Sequence, residues 1–183
     1  MRRLLVILLA ILLLPQMAKA QISFDPGEGC LNVVDISAGK GFGEFGGTTF
    51  SAHYLHERFL SEQLSVGVGI GYSNLKSYEF SAIPVYFSAH YFFLDQRFSP
   101  FVNLRLGVYW PFGTERVQPG ANLFVAPSAG LKVHLTSSFG ILASLGYEGY
   151  LSKTLDPLKN GVQTGMASNL GASIGICFQI PGW

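Results

Sequence analysis

A chain of 183 residues is long enough for one domain with a substantial core. Charged residues make up only 13% of it, against about 25% in ordinary soluble domains, whereas hydrophobic residues make up 49%. Outside the first twenty positions, nine basic residues face eleven acidic ones, so no basic patch remains to bind nucleic acid. With 22 glycines, 14% aromatics and no helix-length apolar segment, the composition favours a membrane β-barrel over a secreted globule.

The first twenty residues have the pattern of a cleavable signal peptide. Arg2 and Arg3 precede an apolar run over 4–14, and Ala18-Lys19-Ala20 fits the small-x-small cleavage rule. The run is shorter than a membrane-spanning helix, although an uncleaved anchor is an alternative. We therefore predict a signal peptide over 1–20 and an exported domain over 21–183.

Alternation of apolar with small residues predicts eight β-strands after residue 30. In 64–74, every second residue from Leu64 to Tyr72 is apolar, and the residues between them are glycine or serine. Successive side chains of a strand point to opposite faces, and about 9–11 residues of tilted strand cross a bilayer. The predicted strands are 31–42, 48–59, 64–74, 81–93, 100–111, 122–135, 139–150 and 166–179.

The connections between these strands alternate in length, which predicts an antiparallel up-and-down barrel. The short ones are 60–63, 94–97 and 136–138, and the longer ones are 43–47, 75–80, 112–121 and 151–165. Outer-membrane barrels have tight periplasmic turns and longer extracellular loops, and an even strand number places both termini at the periplasmic end. Pro84 and Pro127 lie inside strands and predict bulges or distorted pairing, because proline lacks a backbone donor.

The composition of the two faces predicts that the apolar face meets lipid. The other parity is mostly glycine, serine, asparagine and alanine, which suit the interior of a narrow barrel, and most charges fall near strand ends. A soluble lipocalin-like barrel, apolar inside and charged outside, is the alternative. Aromatic residues suggest two interfacial belts, although core aromatics of a sandwich would also explain them. The belt residues are Phe50, Tyr72, Trp110 and Tyr147 at the loop ends, and Phe59, Tyr91, Phe93, Phe139 and Phe178 at the turn ends.

The last strand carries a pattern that resembles the C-terminal assembly signal of outer-membrane barrels. In that signal a polar residue is followed two positions later by glycine and then by spaced hydrophobic residues, as in Ser173, Gly175, Phe178 and Ile180. The chain also ends on an aromatic residue, Trp183. It thus resembles the small eight-stranded outer-membrane barrels of Gram-negative bacteria, the OmpA/OmpX-like and porin-family group. This resemblance implies insertion by the outer-membrane assembly machinery and contact with outer-membrane lipids and lipopolysaccharide, but no particular activity.

Four charged residues on the inward parity predict an interior polar network. Asp35, Arg105, Lys132 and Glu148 lie well within strands, where isolated charges are costly, so we expect the two carboxylates to pair with the two cations. Such a network would brace a barrel whose interior is filled by side chains. The alternative is a water or ion path that opens when the pairs exchange.

Histidines raise an alternative enzymatic hypothesis, since some eight-stranded barrels modify lipid A. Ser51, His53 and Glu57 share one strand parity, and His134 lies near Ser137. Catalysis requires a base within about 3 Å of its nucleophile and a third group to orient it, which spacing alone does not establish. We therefore predict a monomeric structural or surface-interaction protein without catalysis, and keep two alternatives: a lipid A acylase- or deacylase-type barrel and a secreted ligand-binding barrel.

The two cysteines, Cys30 and Cys177, fall on strands that are neighbours in a closed barrel. An exported protein enters an oxidising compartment, so a disulfide across the seam is possible, although the two residues have different predicted parities. The sequence contains no phosphate-loop, zinc or calcium motif, and we expect no metal or cofactor.

Overall fold

The computed structural model describes residues 29–41, 48–76, 80–113, 120–156 and 161–180, and the surroundings of their side chains except in 152–165. The predicted signal peptide over 1–20 lies outside the described residues. The strands are β1 Cys30–Gly41, β2 Thr48–Phe59, β3 Leu64–Leu75, β4 Phe80–Phe92, β5 Phe98–Phe112, β6 Asn122–His134, β7 Phe139–Asp156 and β8 Gly161–Ile180. Among these residues, the structure shows no helix with the length and apolar character needed to cross a bilayer.

The eight strands close into an antiparallel up-and-down barrel. Each strand pairs with the next along the chain, and β8 pairs with β1 to complete the ring. The predicted fold is therefore confirmed, and the first six predicted strands agree with the structure to within two residues at each end. We call the end with residues 60–63, 93–97 and 135–138 the turn end, and the opposite end the loop end.

The last hairpin corrects the prediction that 151–165 is a loop. β7 continues to Asp156 and β8 begins at Gly161, and these two residues are paired. The neighbouring strands stop earlier, because the last pairs along β8 and β6 are Gly41–Asn169 and Leu123–Leu151. The sequence of 151–165 lacks the alternation of apolar and small residues by which the other strands are predicted.

The exterior of the barrel is apolar and the interior is polar or small. In β3, Val68 and Ile70 are 51% and 50% exposed, whereas Ser65 and Ser73 are fully buried. The same outward alternation gives Ile36, Phe87, Leu104, Leu145, Leu170 and Ile174 on the other strands. A soluble barrel would bury this apolar face, so the arrangement is that of a transmembrane barrel. The alternative of a secreted ligand-binding barrel is not consistent with it.

Hydroxyl groups fix two of the tight turns in the same way. Ser61 Oγ accepts a hydrogen bond from the backbone N–H of Leu64 at 3.1 Å, and Thr136 Oγ1 accepts one from Phe139 at 3.0 Å. Side-chain oxygens of serine and threonine often replace a backbone acceptor in such turns. The short connections therefore have a local cause in their sequence.

Pro84 and Pro127 interrupt strand pairing without adding a residue. Pairs on the two sides of the interruptions are Ile70–Val85 and Ser73–Ala82 around Pro84, and Val125–Gly149 and Ser128–Gly146 around Pro127. The register is the same before and after each interruption, so neither proline marks a bulge. The predicted distortion of pairing is confirmed, and its cause is the missing proline N–H.

Most of the predicted belt aromatics are on the outer surface. The exposed ones are Phe50, Tyr72, Trp110, Tyr91, Phe93 and Phe178. The prediction that Phe59 belongs to the outer belt is wrong. Its side chain is buried, and its ring centre lies 6.2 Å from that of Phe92 inside the barrel. Phe59 shares the inward parity of Glu57, which decides its face even at the last residue of the strand.

Candidate functional site

The candidate site is the polar interior of the barrel. Large aromatic side chains fill one side of this interior, and mainly small side chains line the other side. Tyr86, His53 and Phe124 contact one another across the middle, with ring centres 5.4 to 6.4 Å apart. The glycines of β3 make room for these rings, because a Cβ on Gly69 would lie 2.5 Å from the Tyr86 ring. Gly69 and Gly71 are therefore covered by the rings of Tyr86 and His53.

A buried hydrogen-bonded pair near the turn end connects β2 to β4. His90 Nδ1 lies 2.8 Å from Glu57 Oε2, and both side chains are almost completely buried. Ser65 Oγ donates to the same carboxylate oxygen at 2.6 Å. Buried charges are stable only when paired and hydrogen-bonded, and this carboxylate meets both conditions. The sequence analysis did not assign Glu57 or His90 to the interior network.

An ion pair lies nearer the middle of the barrel. Arg105 Nη2 donates to Asp35 Oδ2 at 2.7 Å, and Arg105 Nε donates to Asn103 Oδ1 at 3.1 Å. Asn103 Nδ2 in turn donates to Ser88 Oγ at 2.9 Å, and Ser88 hydrogen-bonds to Glu57, so the two pairs belong to one network. The Arg105 guanidinium also lies 5.7 Å from the centre of the Tyr86 ring. The network thereby links β1, β2, β4 and β5 through the interior.

Glu148 is bound mainly by hydroxyl groups. Ser51 Oγ and Tyr150 OH donate to Glu148 Oε2 at 3.2 and 3.1 Å, and Ser37 Oγ donates to Oε1 at 3.4 Å. His53 Nε2 lies 3.6 Å from Oε1, which is beyond ordinary hydrogen-bond length. The Tyr150 hydroxyl oxygen also lies 2.7 Å from Ser73 Oγ, on the other side of the barrel.

Lys132 lies at the turn end over aromatic rings. Its Nζ is 4.8 Å from the centre of the Phe92 ring and 5.9 Å from that of Phe59. A cation over the face of an aromatic ring is attracted by the ring quadrupole. Phe92 also packs against Phe101, so this end of the interior is closed by side chains.

The four predicted network residues all face the interior, and three of them, Asp35, Arg105 and Glu148, line one cavity. The structure pairs Arg105 with Asp35, Glu148 accepts hydrogen bonds from hydroxyl groups, and Lys132 lies over aromatic rings. One of the predicted pairs is therefore present, and a pairing of Glu148 and Lys132 stays a prediction. Strand parity predicts which face each residue occupies. The position of a side chain along and around the barrel axis depends on strand tilt and stagger, which parity does not give.

The residues of the predicted assembly signal lie along β8. Ser173 and Gly175 face inward, and Phe178 and Ile180 are 44% and 52% exposed on the outer surface. Their role in assembly stays a prediction. Trp183 lies outside the described residues.

The cysteines face opposite sides of the barrel wall, and both are free thiols in the structure. Cys30 is paired with Ile180, whereas Cys177 is paired with Val33, three positions along the strand. Cys177 is inside and 2% exposed. Because a disulfide needs Cβ atoms that point toward each other, this arrangement does not favour the disulfide that the sequence left possible.

We expect thiol titration to distinguish these two environments. A small thiol reagent should find two thiols in the unreduced, urea-unfolded protein and react rapidly with only Cys30 in the folded protein. The Cys177→Ser variant should lose the slow thiol, and Cys30→Ser should lose the fast one. Titration of no thiols without reductant would contradict the structure.

The geometry does not assemble the catalytic group considered for the enzyme hypothesis. Ser51 donates to Glu148, and Glu57 binds His90 and not His53. These groups lie inside the barrel, on the face opposite to the lipid. Among the described residues, no three His, Cys, Asp or Glu side chains lie close enough to hold a metal ion.

Comparisons with known proteins identify the fold. No family model and no curated protein matches the chain. Neisserial surface protein A matches with 17% identity and a TM-score of 0.63, over 83% of this chain and 97% of that one. The outer-membrane protein OprG of Pseudomonas aeruginosa matches with 9% identity and a TM-score of 0.56, over 85% and 98% of the two chains. The N-terminal barrel domain of OprF from the same organism matches with 15% identity and a TM-score of 0.54, over 84% and 99%. At these identities the likeness establishes the fold, that of small outer-membrane barrels.

Proposed function

We propose that the protein is a non-catalytic integral barrel of the bacterial outer membrane, with a structural or surface-interaction role and no open pore. The observation that carries this proposal is the combination of an apolar outer face with an interior closed at the turn end by Phe59, Phe92 and Phe101. An eight-stranded barrel is just wide enough for its interior to be filled by side chains. The polar network then serves to brace the wall.

Its proposed environment follows from the fold. Outer-membrane lipids and lipopolysaccharide would contact the apolar exterior, and the outer-membrane assembly machinery would insert the chain, which we propose to act as a monomer. The turn end would face the periplasm, and the β7–β8 hairpin, which extends past its neighbours, would project from the cell surface. That hairpin supports a surface-interaction role because its strands are paired beyond the ends of their neighbours.

A filled interior predicts very low conductance. The purified protein in planar bilayers should give no steady ionic current, while its migration on gels should shift on heating, as expected for a folded barrel in the outer-membrane fraction. The Lys132→Ala variant removes a cation from the turn end of the interior. Because the aromatic rings there remain, it should also give no steady ionic current. Steady, large conductance of the unmodified protein would contradict the proposed function.

The absence of catalysis is tested separately. Overexpression should leave the mass spectrum of lipid A unchanged, because Ser51 and His53 point away from the lipid. New acylated or deacylated species that disappear in the His53→Gln variant would establish the enzymatic alternative.

A further inference from the structure

A polar cavity remains on the side of the interior that small side chains line. It has a volume of about 40 Å³ and is lined by Asp35, Arg105, Glu148, Asn169 and by serines and glycines of β1, β6, β7 and β8. A buried water needs at least about 10–15 Å³ measured in this way, so the cavity holds about three water-sized groups. Its wall carries two carboxylates, a guanidinium, an amide and several hydroxyl groups, so it is not a purely apolar void.

Of the two carboxylates that line this cavity, only Asp35 has a cationic group within hydrogen-bond distance among the described residues. Asp35 and Arg105 neutralise each other through their 2.7 Å contact. Glu148 accepts hydrogen bonds from neutral hydroxyls, and the basic atom that the described residues place near it, His53 Nε2, is 3.6 Å away. A buried carboxylate is costly unless a cation or a set of donors compensates it. The cavity therefore adjoins two carboxylates and one arginine, which is one excess negative charge while His53 is neutral.

Asn169 provides a second, independent indication of a ligand. It is 2% exposed, lines the cavity, and neither its Oδ1 nor its Nδ2 has a hydrogen-bond partner among the described residues. It is also the cross-strand partner of Glu148, and directly opposed residues on one face have Cβ atoms about 4.5–5.5 Å apart. Most buried polar side chains have a hydrogen-bond partner, so an unsatisfied amide beside a carboxylate indicates an occupant.

We propose that this cavity is a binding site for a small monovalent cation of the size of sodium, with one or two of its waters. The Glu148 carboxylate, the Asn169 amide oxygen and neighbouring serine hydroxyls supply oxygen ligands, which hard cations prefer. One excess negative charge matches one positive charge. The bound cation neutralises Glu148, and a water ligand accepts a hydrogen bond from Asn169 Nδ2.

The test compares sodium with a cation too large for the cavity. The mature protein, refolded in detergent micelles, is unfolded with urea in equal concentrations of sodium chloride or choline chloride. If sodium is present at about ten times its dissociation constant, the ratio of folded to unfolded protein should be about tenfold higher in sodium. The ²³Na NMR signal should broaden with the folded protein present.

Variants locate the site and keep the test independent of folding yield. Glu148→Gln should remove both effects, while Glu62→Gln, which neutralises an exposed carboxylate in a turn, should retain them. His53→Gln should also retain them, because a charged His53 is not the proposed counterion. Equal unfolding midpoints in the two salts with an unchanged ²³Na signal would overturn the proposal without any variant. Persistence of both effects in Glu148→Gln, or their loss in His53→Gln, would also overturn it.

Discussion

Replacing Arg105 with glutamine is expected to destabilise the barrel by about 3–5 kcal/mol, the usual cost of removing one partner of a buried ion pair. Arg105 contacts Asp35 at 2.7 Å and also binds Asn103, so its loss leaves a buried carboxylate without its cation. The measurement is the free energy of unfolding in urea, with the protein in detergent micelles or lipid vesicles.

A double-mutant cycle separates the ion pair from other contacts of Arg105. Asp35→Asn together with Arg105→Gln should recover most of the lost stability, because two neutral amides leave no buried charge. Arg97→Gln, in an exposed turn, should change the free energy of unfolding by less than about 0.5 kcal/mol. If the two single variants and the double variant were strictly additive, the pair would not be coupled.

Replacing Gly69 with leucine is expected to impair folding far more than replacing Val68 with leucine. A side chain on Gly69 would enter the space that the Tyr86 ring occupies, whereas Val68 is 51% exposed on the outer face. Overpacking costs about 1–3 kcal/mol and sometimes more, while an added methylene on a lipid-facing side chain costs little. The measurement is the folded fraction by heat-modifiable gel migration, followed by urea unfolding.

Tyr86 provides the control for this pair of variants. In a Tyr86→Ala background the ring is gone, so Gly69→Leu should cost much less than it does in the unmodified protein. Equal folding yields for Gly69→Leu and Val68→Leu would mean that the two faces of β3 are reversed.

The sequence was sufficient to predict the strands and the direction of their side chains. Val68 and Ser65 lie on opposite parities of β3. Because the outer face of a membrane barrel must be apolar, the parity of Val68 is assigned to the lipid and that of Ser65 to the interior. The β7–β8 hairpin was missed because the sequence of 151–165 lacks the alternation by which the other strands are predicted. Phe59 was placed in the outer belt on its height, although its parity already indicated the interior.

The contacts within the interior were only partly predictable. Asp35 and Arg105 were both assigned to it, but Glu57 was considered only as part of a possible catalytic group, and its pairing with His90 was missed. Sequence parity does not give the rotation and height of each strand, which decide which side chains Lys132 lies near, among them the Phe92 ring. Glu57 and Phe59 lie on the inward parity of β2, so the sequence alone indicates that both side chains point into the barrel.

The central claim, an apolar face toward lipid around a closed polar interior, is tested most directly by scanning β3 with a nitroxide spin label. Single cysteines at each position from Leu64 to Asn74 other than Gly67, Gly69 and Gly71, in a Cys30→Ser and Cys177→Ser background, are labelled in vesicles and their collision rates with oxygen are measured. We predict high oxygen collision rates at Val66, Val68 and Ile70 and low rates at the inward Ser65 and Ser73. The opposite phase, or no alternation, would contradict the account.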